Sequence, residues 1–559
     1  MKTSPTSAER VPVLIAGGGP VGLTLAALLA RYGVRSVVLE ADNSYCTGSR
    51  AICVSRRSQE IMGWAGADAA VTKTGLPWAG GRSYWRGQEV LHFTMPHEPT
   101  QRFAPMVNIQ QYYIEEYAHQ AAQKCGDLAD VRWNTKVVSV NNLATGPQVT
   151  VQGAGGAQQT LQADYLVACD GGRSTVREQL GLQLEGVQYD GKYVIVDIVQ
   201  TTQRDVERLA WFDPPSNPGS TILMHRQPGN VWRVDYQVRD DEDPTEAVKP
   251  ENVLPRVQSH LDMIGETAPW KPLWISIYNA KCLTLPSYQY GRTFFAGDAG
   301  HLVPIFGVRG LNSGLDDAGN LAWKLAAVLQ GQAHDALLHS YSTERLHATR
   351  ENIAYGAKST EFMAPPNYGF TLMREAALRL ASVGSPAKSL LNPRQSTPVE
   401  YVGSPLNQPD ADAAHAARPG VPAPEACVTS AQGPGHLSQY FGHCFVLLVF
   451  SQLSDALVPL QTLPIGQGVA ALKLLRMQPV QAPTASTTDG ALAGFARQAI
   501  EHLIDSASQA AQRYTASEGT TLLIRPDGYI AARWPTVDVA SISQALQSYR
   551  AQPTTETAA

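Results

Sequence analysis

The chain has no Cys-x-x-Cys pair. Its seven cysteines are scattered and odd in number, which suits reduced thiols in a cytoplasm and argues against a disulfide framework. No apolar run approaches the about 18 residues of a membrane span, and the opening Met-Lys-Thr-Ser-Pro-Thr-Ser is a polar lead-in, not a signal peptide. Basic charge is not in excess. Its 44 Lys and Arg face 49 Asp and Glu, a net charge of -5, so neither nucleic acid nor an anionic membrane is expected as the main partner. Charged residues make up 17% and hydrophobic ones 44%, enough to bury a large core and too apolar for disorder. At 559 residues, two or three domains are expected.

What is present begins at once. Val13-Leu-Ile-Ala16 is a short apolar run, as in a buried parallel strand, and it breaks into Gly17, Gly19 and Gly22 at G-x-G-x-x-G spacing before the helix-forming run Leu23 to Ala30. The first glycine allows a tight turn, the second lets the backbone approach a pyrophosphate, and the third packs helix on strand. The helix N-terminus offers free N–H groups to a diphosphate. A second apolar run, Ser36 to Leu39, ends at Glu40, near the about 20-residue offset of a ribose-binding carboxylate. The spacing predicts a bound adenine dinucleotide. No second G-x-G-x-x-G occurs.

Further along, Arg50 stands where a guanidinium could fork onto a diphosphate, although a surface arginine is the plainer reading. Leu76 to Pro99 suggests a hairpin-like excursion, and Met106 to Ala122 a loop entering a helix. Asp164 to Ala168 reads as a strand running into Asp170-Gly171, with a helix capped near Ser174. Residues 184 to 285 change character: Tyr193–Gln200, Thr221–Arg226, Val231–Val238 and Leu273–Ala280 read as strands of a mostly antiparallel sheet. Along Val231–Val238, Arg233, Asp235 and Gln237 share one face, while Trp232, Val234 and Tyr236 share the other. One face must pack on the protein and the other could wall a cavity. Phe294 to Ala296 then delivers Asp298, whose carboxylate suits a sugar-type hydroxyl, and Gly307 to Gly314 opens a helix toward a developing negative charge. His301 reads as a structural loop histidine. Residues 396–425, dense in Pro, Ala and Asp, read as a linker. Phe445–Phe450, a helical run Ala491–Leu503, and Leu522–Arg533 with a turn at Arg525-Pro-Asp-Gly528 suggest a separate small α/β domain.

Together, Gly17-x-Gly19-x-x-Gly22, Asp170-Gly171 with Arg177, and Gly297-Asp298 with His301 and Pro304 resemble the single-component FAD-dependent aromatic hydroxylases, the class A flavoprotein monooxygenases of the p-hydroxybenzoate hydroxylase fold. The resemblance covers residues 10 to about 360, and the tail resembles the thioredoxin-like domain of the phenol hydroxylase branch. It implies an α/β fold: a Rossmann-type FAD-binding domain (1–183, with an excursion at 76–105, returning at 286–395), an inserted mostly antiparallel substrate sheet (184–285), the linker, and a thioredoxin-like domain (426–559). Gly17, Gly19, Gly22 and Glu40 would hold the ADP half of FAD, Arg50 its diphosphate, and Gln111 would touch the cofactor. Asp170 and Gly171 would serve both FAD and a transient NADH or NADPH, and Asp298 the ribityl chain. Gly310, Leu311 and Asn312 would meet the pyrimidine edge of the flavin, and Arg233 the mobile isoalloxazine. The chain departs from many members in having Pro304-Ile305 in place of two prolines, and Val308 in place of a frequent glycine.

The activity so implied is hydroxylation of a substituted phenol or catechol through a flavin C4a-hydroperoxide, with O2 as co-substrate. The outcome could include loss of nitro or halide. The protein must polarise or deprotonate the phenol and exclude water. The substrate would lie between the sheet face and the Pro304 loop, with Arg226 and Asp235 as polar contacts and His225 as base. Two other readings stay open: hydroxylation of a polycyclic natural product or antibiotic, and a non-catalytic flavin-binding redox sensor. The tail, lacking Cys-x-x-Cys, reads as structural or as an oligomerisation surface, such as that of a homodimer.

Overall fold

In the computed structural model, which describes residues 9–239, 241–384, 397–410, 415–452, 454–463, 472–479 and 500–550, the strand Glu9–Ala16 lies inside a sheet. Val13, Leu14, Ile15 and Ala16 are fully buried, as a strand covered on both faces requires. The sheet runs Gln289–Tyr290, Thr293–Phe295, Gln158–Ala168, Glu9–Ala16, Ser36–Leu39, Ala129–Arg132, and every pairing from Thr293–Phe295 onward is parallel. Helix Pro20–Arg31 packs against both Gln111–Gln123 and Gly310–Leu329. The strand Thr293–Phe295 is reached only after every strand of a second sheet but its edge strand His301–Leu302, so the nucleotide-binding fold is completed by a return of the chain.

That second sheet has the order His301–Leu302, Trp270–Thr284, Glu185–Gln200, Val231–Gln237, Thr221–Gln227, Arg208–Phe212, Gly80–Trp85, Gln88–Thr94. Its pairings are antiparallel except Arg208–Phe212 with Gly80–Trp85, where the excursion from the first half joins it. One face is apolar. Ile222, Met224, Trp232, Val234 and Tyr236 pack there under Val253, Val257 and Leu261 of the helix Pro250–Met263. The opposite face carries Tyr193, Ala210, Phe212 and Leu223 against Phe306 and Met363 of the returning chain. The alternation of Val231–Gln237 is thus as expected, and the side with Arg233 and Asp235 is the one turned inward.

The tail forms a mixed sheet. Phe445–Phe450, Leu472–Pro479 and Ile500–Asp505 are parallel, Thr521–Ile524 and Ile530–Trp534 add an antiparallel hairpin, and the helix Val539–Ser548 follows. This is the α/β tail expected of a thioredoxin-like domain. Two local expectations are corrected. The helix expected over Ala491–Leu503 ends as the strand Ile500–Asp505, because pairing with Leu472–Pro479 outweighs the helical spacing of Ile500 and Leu503; residues 491–499 lie outside the described residues. Among its described residues, the stretch expected as a linker is packed: Tyr401 is 1% exposed and stacks on Tyr529 with ring centroids 4.1 Å apart, and its N–H donates to Gly420 O.

Tail and body are joined by a buried ionic cluster. Glu344 accepts from Lys324 Nζ at 2.7 Å, from Arg525 Nη1 at 2.5 Å and from Ser404 Oγ at 2.5 Å. Burial alone would raise the Glu344 pKa, but Arg525 and Lys324 overcome it and hold the carboxyl below its usual range. A depressed pKa makes this a stabilising contribution above about pH 4.3, lost as pH falls toward the folded value. Replacing Glu344 by Ala leaves buried Lys324 without a carboxylate and Arg525 with Asp527 alone. We expect a loss of about 3–5 kcal/mol in denaturant unfolding at pH 7, and a loss below about 1 kcal/mol would mean that the cluster does not hold tail to body.

Candidate functional site

Gly17 adopts a φ of +103°, and a Cβ on it would collide with the carbonyl of Cys169; one on Gly22 would collide with Gly17 O. These glycines are therefore demanded by the crossing of strand, helix and the Gln158–Ala168 strand end. Gly19 is different: nothing lies within 4 Å of where its Cβ would be. That open space, at the start of Pro20–Arg31, is where a diphosphate fits. Glu40 Oε2 accepts from Gly18 N at 2.5 Å and Oε1 from Asp42 N at 2.9 Å, each oxygen keeping a lone pair for a ribose hydroxyl. Arg50 is exposed with a φ of +42°, and its guanidinium makes no ion pair among the described residues. Gln111 bridges Ala51 N (3.2 Å) and Glu115 (2.9 Å), which ties the loop carrying Arg50 to the helix Gln111–Gln123.

Asp170 Oδ2 accepts from Val176 N at 3.0 Å, while its Oδ1 is buried without a partner among the described residues. Burial raises the Asp170 pKa, opposed by the Ser174 side chain and the N–H of Val176. An orphaned acceptor beside Gly171, at φ +76°, is what a bound hydroxyl would satisfy. Arg177 closes the corner by donating to Gly172 O (2.7 Å) and Ala299 O (2.9 Å). Asp298 is exposed, and desolvation raises its pKa against the pull of His301 and Arg177. These features fit an extended dinucleotide running from Gly17 to Asp298.

Sequence reading missed the residue beneath this corner. Asp317, wholly buried on Gly310–Leu329, accepts from Gly297 N at 2.8 Å, His301 Nε2 at 2.7 Å and Arg345 Nε at 2.6 Å. Burial would raise its pKa, but His301 and Arg345 lower it below the usual range. His301 is thus structural, as expected. At the start of the same helix the N–H groups of Gly310, Leu311 and Asn312 have no intrahelical acceptor. The Asn312 side chain is spent elsewhere, accepting from Ser55 N (2.9 Å) and Ser58 Oγ (2.7 Å), so only its backbone is free for a ligand. Pro304 is buried against Gly356, and Phe306 meets Tyr193 edge-on at 5.0 Å. Val308 holds a φ of +53°, which explains why glycine suits this position and leaves a strained β-branched residue in the loop.

On the inward sheet face, cross-strand register aligns Arg208, His225, Arg233 and Asp197 in one row, with Asp235 two residues along from Arg233. Arg233 Nε donates to Asp235 Oδ1 at 2.7 Å and Nη1 donates to Arg50 O, linking the sheet to the loop that carries Arg50. Asp235 is 5% exposed; burial raises its pKa and Arg233 opposes the rise, and its second oxygen takes no hydrogen bond from a described residue. His225, also 5% exposed, lies 3.8 Å from Cys53 Sγ, and burial together with Arg208 and Arg233 drives its pKa well below 6.5, so it is neutral. Arg226 is a correction. Alternation puts it with Met224 and Trp232 on the opposite face, where Nη1 donates to Arg204 O at 2.6 Å, apart from His225 and Asp235. Arg208 was missed because its strand, Arg208–Phe212, is short; only its alternating pattern in the sequence could have signalled it.

Residues 10–354 match the FAD binding domain family. Over 560 residues the chain is 27% identical to 6-methylpretetramide 4-monooxygenase of Streptomyces rimosus, covering 98% of this chain and 95% of that one. Over 377 residues it is 29% identical to 3-(3-hydroxy-phenyl)propionate/3-hydroxycinnamic acid hydroxylase of Mycolicibacterium smegmatis, covering 67% of this chain and 65% of that one, just under two thirds of the relative's length. Among solved structures, the flavin-dependent monooxygenase PieE in complex with FAD and substrate superposes with a TM-score of 0.77 at 22% identity, covering 96% and 98% of the two chains. The ternary complex of aklavinone-11 hydroxylase with FAD and aklavinone gives 0.74 at 23% identity, covering 97% and 99%.

Asp317 sets a test of the corner. Asp317→Asn removes the charge under Gly297 and His301, and FAD retention measured by equilibrium dialysis should weaken by about tenfold or more, the scale of a charge-assisted hydrogen bond. Unaltered retention would detach Asp317 from the cofactor loop.

Proposed function

Because the chain belongs to the FAD binding domain family, we propose that it is a single-component FAD-dependent monooxygenase that hydroxylates a substituted phenol or catechol, with O2 as co-substrate and NADH or NADPH as transient donor. When bound, FAD supplies the hydride acceptance and oxygen activation that no side chain offers. Gly17, Gly19, Gly22, Glu40, Arg50, Gln111, Asp170, Gly171 and Asp298 would hold it, with the N–H groups of Gly310, Leu311 and Asn312 toward the ring. The observation that carries the reading is the inward sheet face, which sets the unpaired oxygen of Asp235 and a neutral His225 beside the apolar cluster of Phe306, Leu223 and Met106. Asp235 accepts the phenol proton, His225 hydrogen-bonds the ring hydroxyl, Arg233 braces Asp235 against Arg50, and the Pro304 loop excludes water.

A second reading has a specific support: the match to 6-methylpretetramide 4-monooxygenase runs end to end, so a polycyclic phenol belongs among the candidates. In a panel of phenols, catechols and polycyclic phenols, one compound should strongly accelerate anaerobic flavin reduction by NADH or NADPH. No acceleration by any of them would sink the hydroxylase reading. Asp235→Asn should lower hydroxylation by about 10²- to 10⁴-fold while retaining FAD. Since His225 is neutral well below its usual range, the pH profile should show no inflection near pH 6.5. An inflection there that His225→Gln removes would transfer the role of base from Asp235 to His225.

A further inference from the structure

We propose that the tail is a positioning element of the cofactor site: its turn Arg525-Pro-Asp-Gly528 steadies, through Tyr401 and Arg57, the helix start that meets the flavin ring. The inference rests on the FAD-dependent reading and gives the tail a task beyond a structural or oligomerisation surface. Two routes lead from the turn to that helix start. In the first, the ring of Tyr529, next to the turn, stacks on Tyr401, whose Oη accepts from Arg345 Nη1 at 3.0 Å. Arg345 directs its Nε to Asp317 Oδ1 (2.6 Å) and its Nη2 to the carbonyl of Ser313 (3.1 Å), in the first turn of Gly310–Leu329. In the second, the Arg57 guanidinium lies 4.7 Å from the ring centroid of Trp64 and 5.2 Å from that of Tyr529, and it donates to Asp527 O. Arg57 belongs to the helix Arg56–Ala65, and there the N-cap Ser55, through its N–H, and Ser58, through its Oγ, donate to Asn312 Oδ1 at 2.9 and 2.7 Å.

Tyr401, Tyr529, Arg345 and Arg57 are all buried. A buried cation keeps its direction only while its N–H groups have acceptors, because an unpaired donor cannot turn to water. Without Tyr401 Oη, Arg345 Nη1 loses its acceptor, and the guanidinium that aligns Asp317 with the Ser313 carbonyl loses one of its three fixed points. The N–H groups of Gly310, Leu311 and Asn312 would shift with that turn of helix. On the FAD-dependent reading they face the ring where electron uptake places negative charge, so a shift disfavours reduced flavin more than oxidised. The tail thus reaches the cofactor from behind, without touching it.

Tyr401→Phe keeps the ring that stacks on Tyr529 and removes only the oxygen. Its FAD dissociation constant, by equilibrium dialysis, should rise about three- to tenfold. Its flavin midpoint potential, by anaerobic titration against a reference dye, should fall by about 15 to 30 mV, a further three- to tenfold loss for the two-electron reduced cofactor. Arg57→Lys keeps the charge but loses the planar contacts with Tyr529 and Asp527 O, and it should act in the same direction. Arg513→Gln is the control for tail docking, because Arg513 joins tail to body by donating to Glu98, away from both routes, and its potential should be unchanged. An unchanged potential in Tyr401→Phe overturns the inference whatever the affinity does, since a merely structural tyrosine leaves the potential alone. An equal fall in Arg513→Gln also overturns it, by showing a general loosening of the tail. If Tyr401→Phe does not fold, Arg57→Lys decides by the same two outcomes. Failure of the unaltered protein to bind FAD overturns this inference and the hydroxylase reading together. Intact FAD binding and phenol-accelerated reduction, with no change of potential in either variant, overturn this inference alone.

Discussion

The carboxylate of Asp317 carries more of this structure than any single contact at the cofactor loop. A buried anion needs its lone pairs filled and its charge opposed, and Gly297 N, His301 and Arg345 do both. Three separate pieces of chain are thereby fixed to one helix: the end of the Thr293–Phe295 strand, the loop after it, and the helix His339–Met363. The approach is close. Gly297 sits at φ +61°, and a Cβ on Gly314 would lie 2.5 Å from Val21, in the first turn of the helix that follows the glycine motif. The two halves of the nucleotide-binding fold, separated in the chain by most of the second sheet, meet at that contact.

The second sheet owes its functional face to how its edge is finished. Were Arg208–Phe212 the last strand, Arg208 would stand at an open edge and be solvated like any surface arginine. The hairpin Gly80–Trp85 and Gln88–Thr94 instead adds two strands outside it, the nearer one in parallel. An excursion that leaves the first domain early thus encloses a guanidinium in the second. On the opposite side of the sheet, Pro250–Met263 covers the apolar residues, so the strands Arg208–Phe212, Thr221–Gln227 and Val231–Gln237 are buried on both faces along most of their length.

Elements that impose a backbone constraint are legible in the sequence, because residue type alone announces them. Gly17 and Gly22 are needed for steric reasons, the Arg525-Pro-Asp-Gly528 turn joins two strands, and the alternation in Val231–Gln237 assigns Arg233 and Asp235 to one face correctly. The same alternation across Thr221–Gln227 separates His225 from Arg226: they are consecutive, so a strand cannot turn both inward. Asp317 is invisible in the sequence because its partners come from Gly297, His301 and Arg345, and no local pattern distinguishes it from its neighbour Asp316. Irregular chain also misleads. The Pro-rich stretch around Tyr401 looks like a linker, but irregular backbone packs well when aromatic rings such as Tyr401 and Tyr529 give it something to bury.

The order of charges along the inward row limits what each group can do. His225 lies between Arg208 and Arg233, so a third positive charge there would be repelled from both sides in a desolvated setting, and the imidazole stays neutral. A neutral imidazole can share a hydrogen bond with a phenol in either direction, but it is a poor permanent home for the proton. Asp235 has the opposite bias. Burial raises its pKa above the usual carboxylate value, and Arg233 opposes the rise. A carboxyl with a raised pKa and one unpaired oxygen is a better proton acceptor than an ordinary aspartate, and it is tied to the Arg50 loop through Arg233. Any movement of the Arg50 loop would therefore be felt at the group best suited to take the proton.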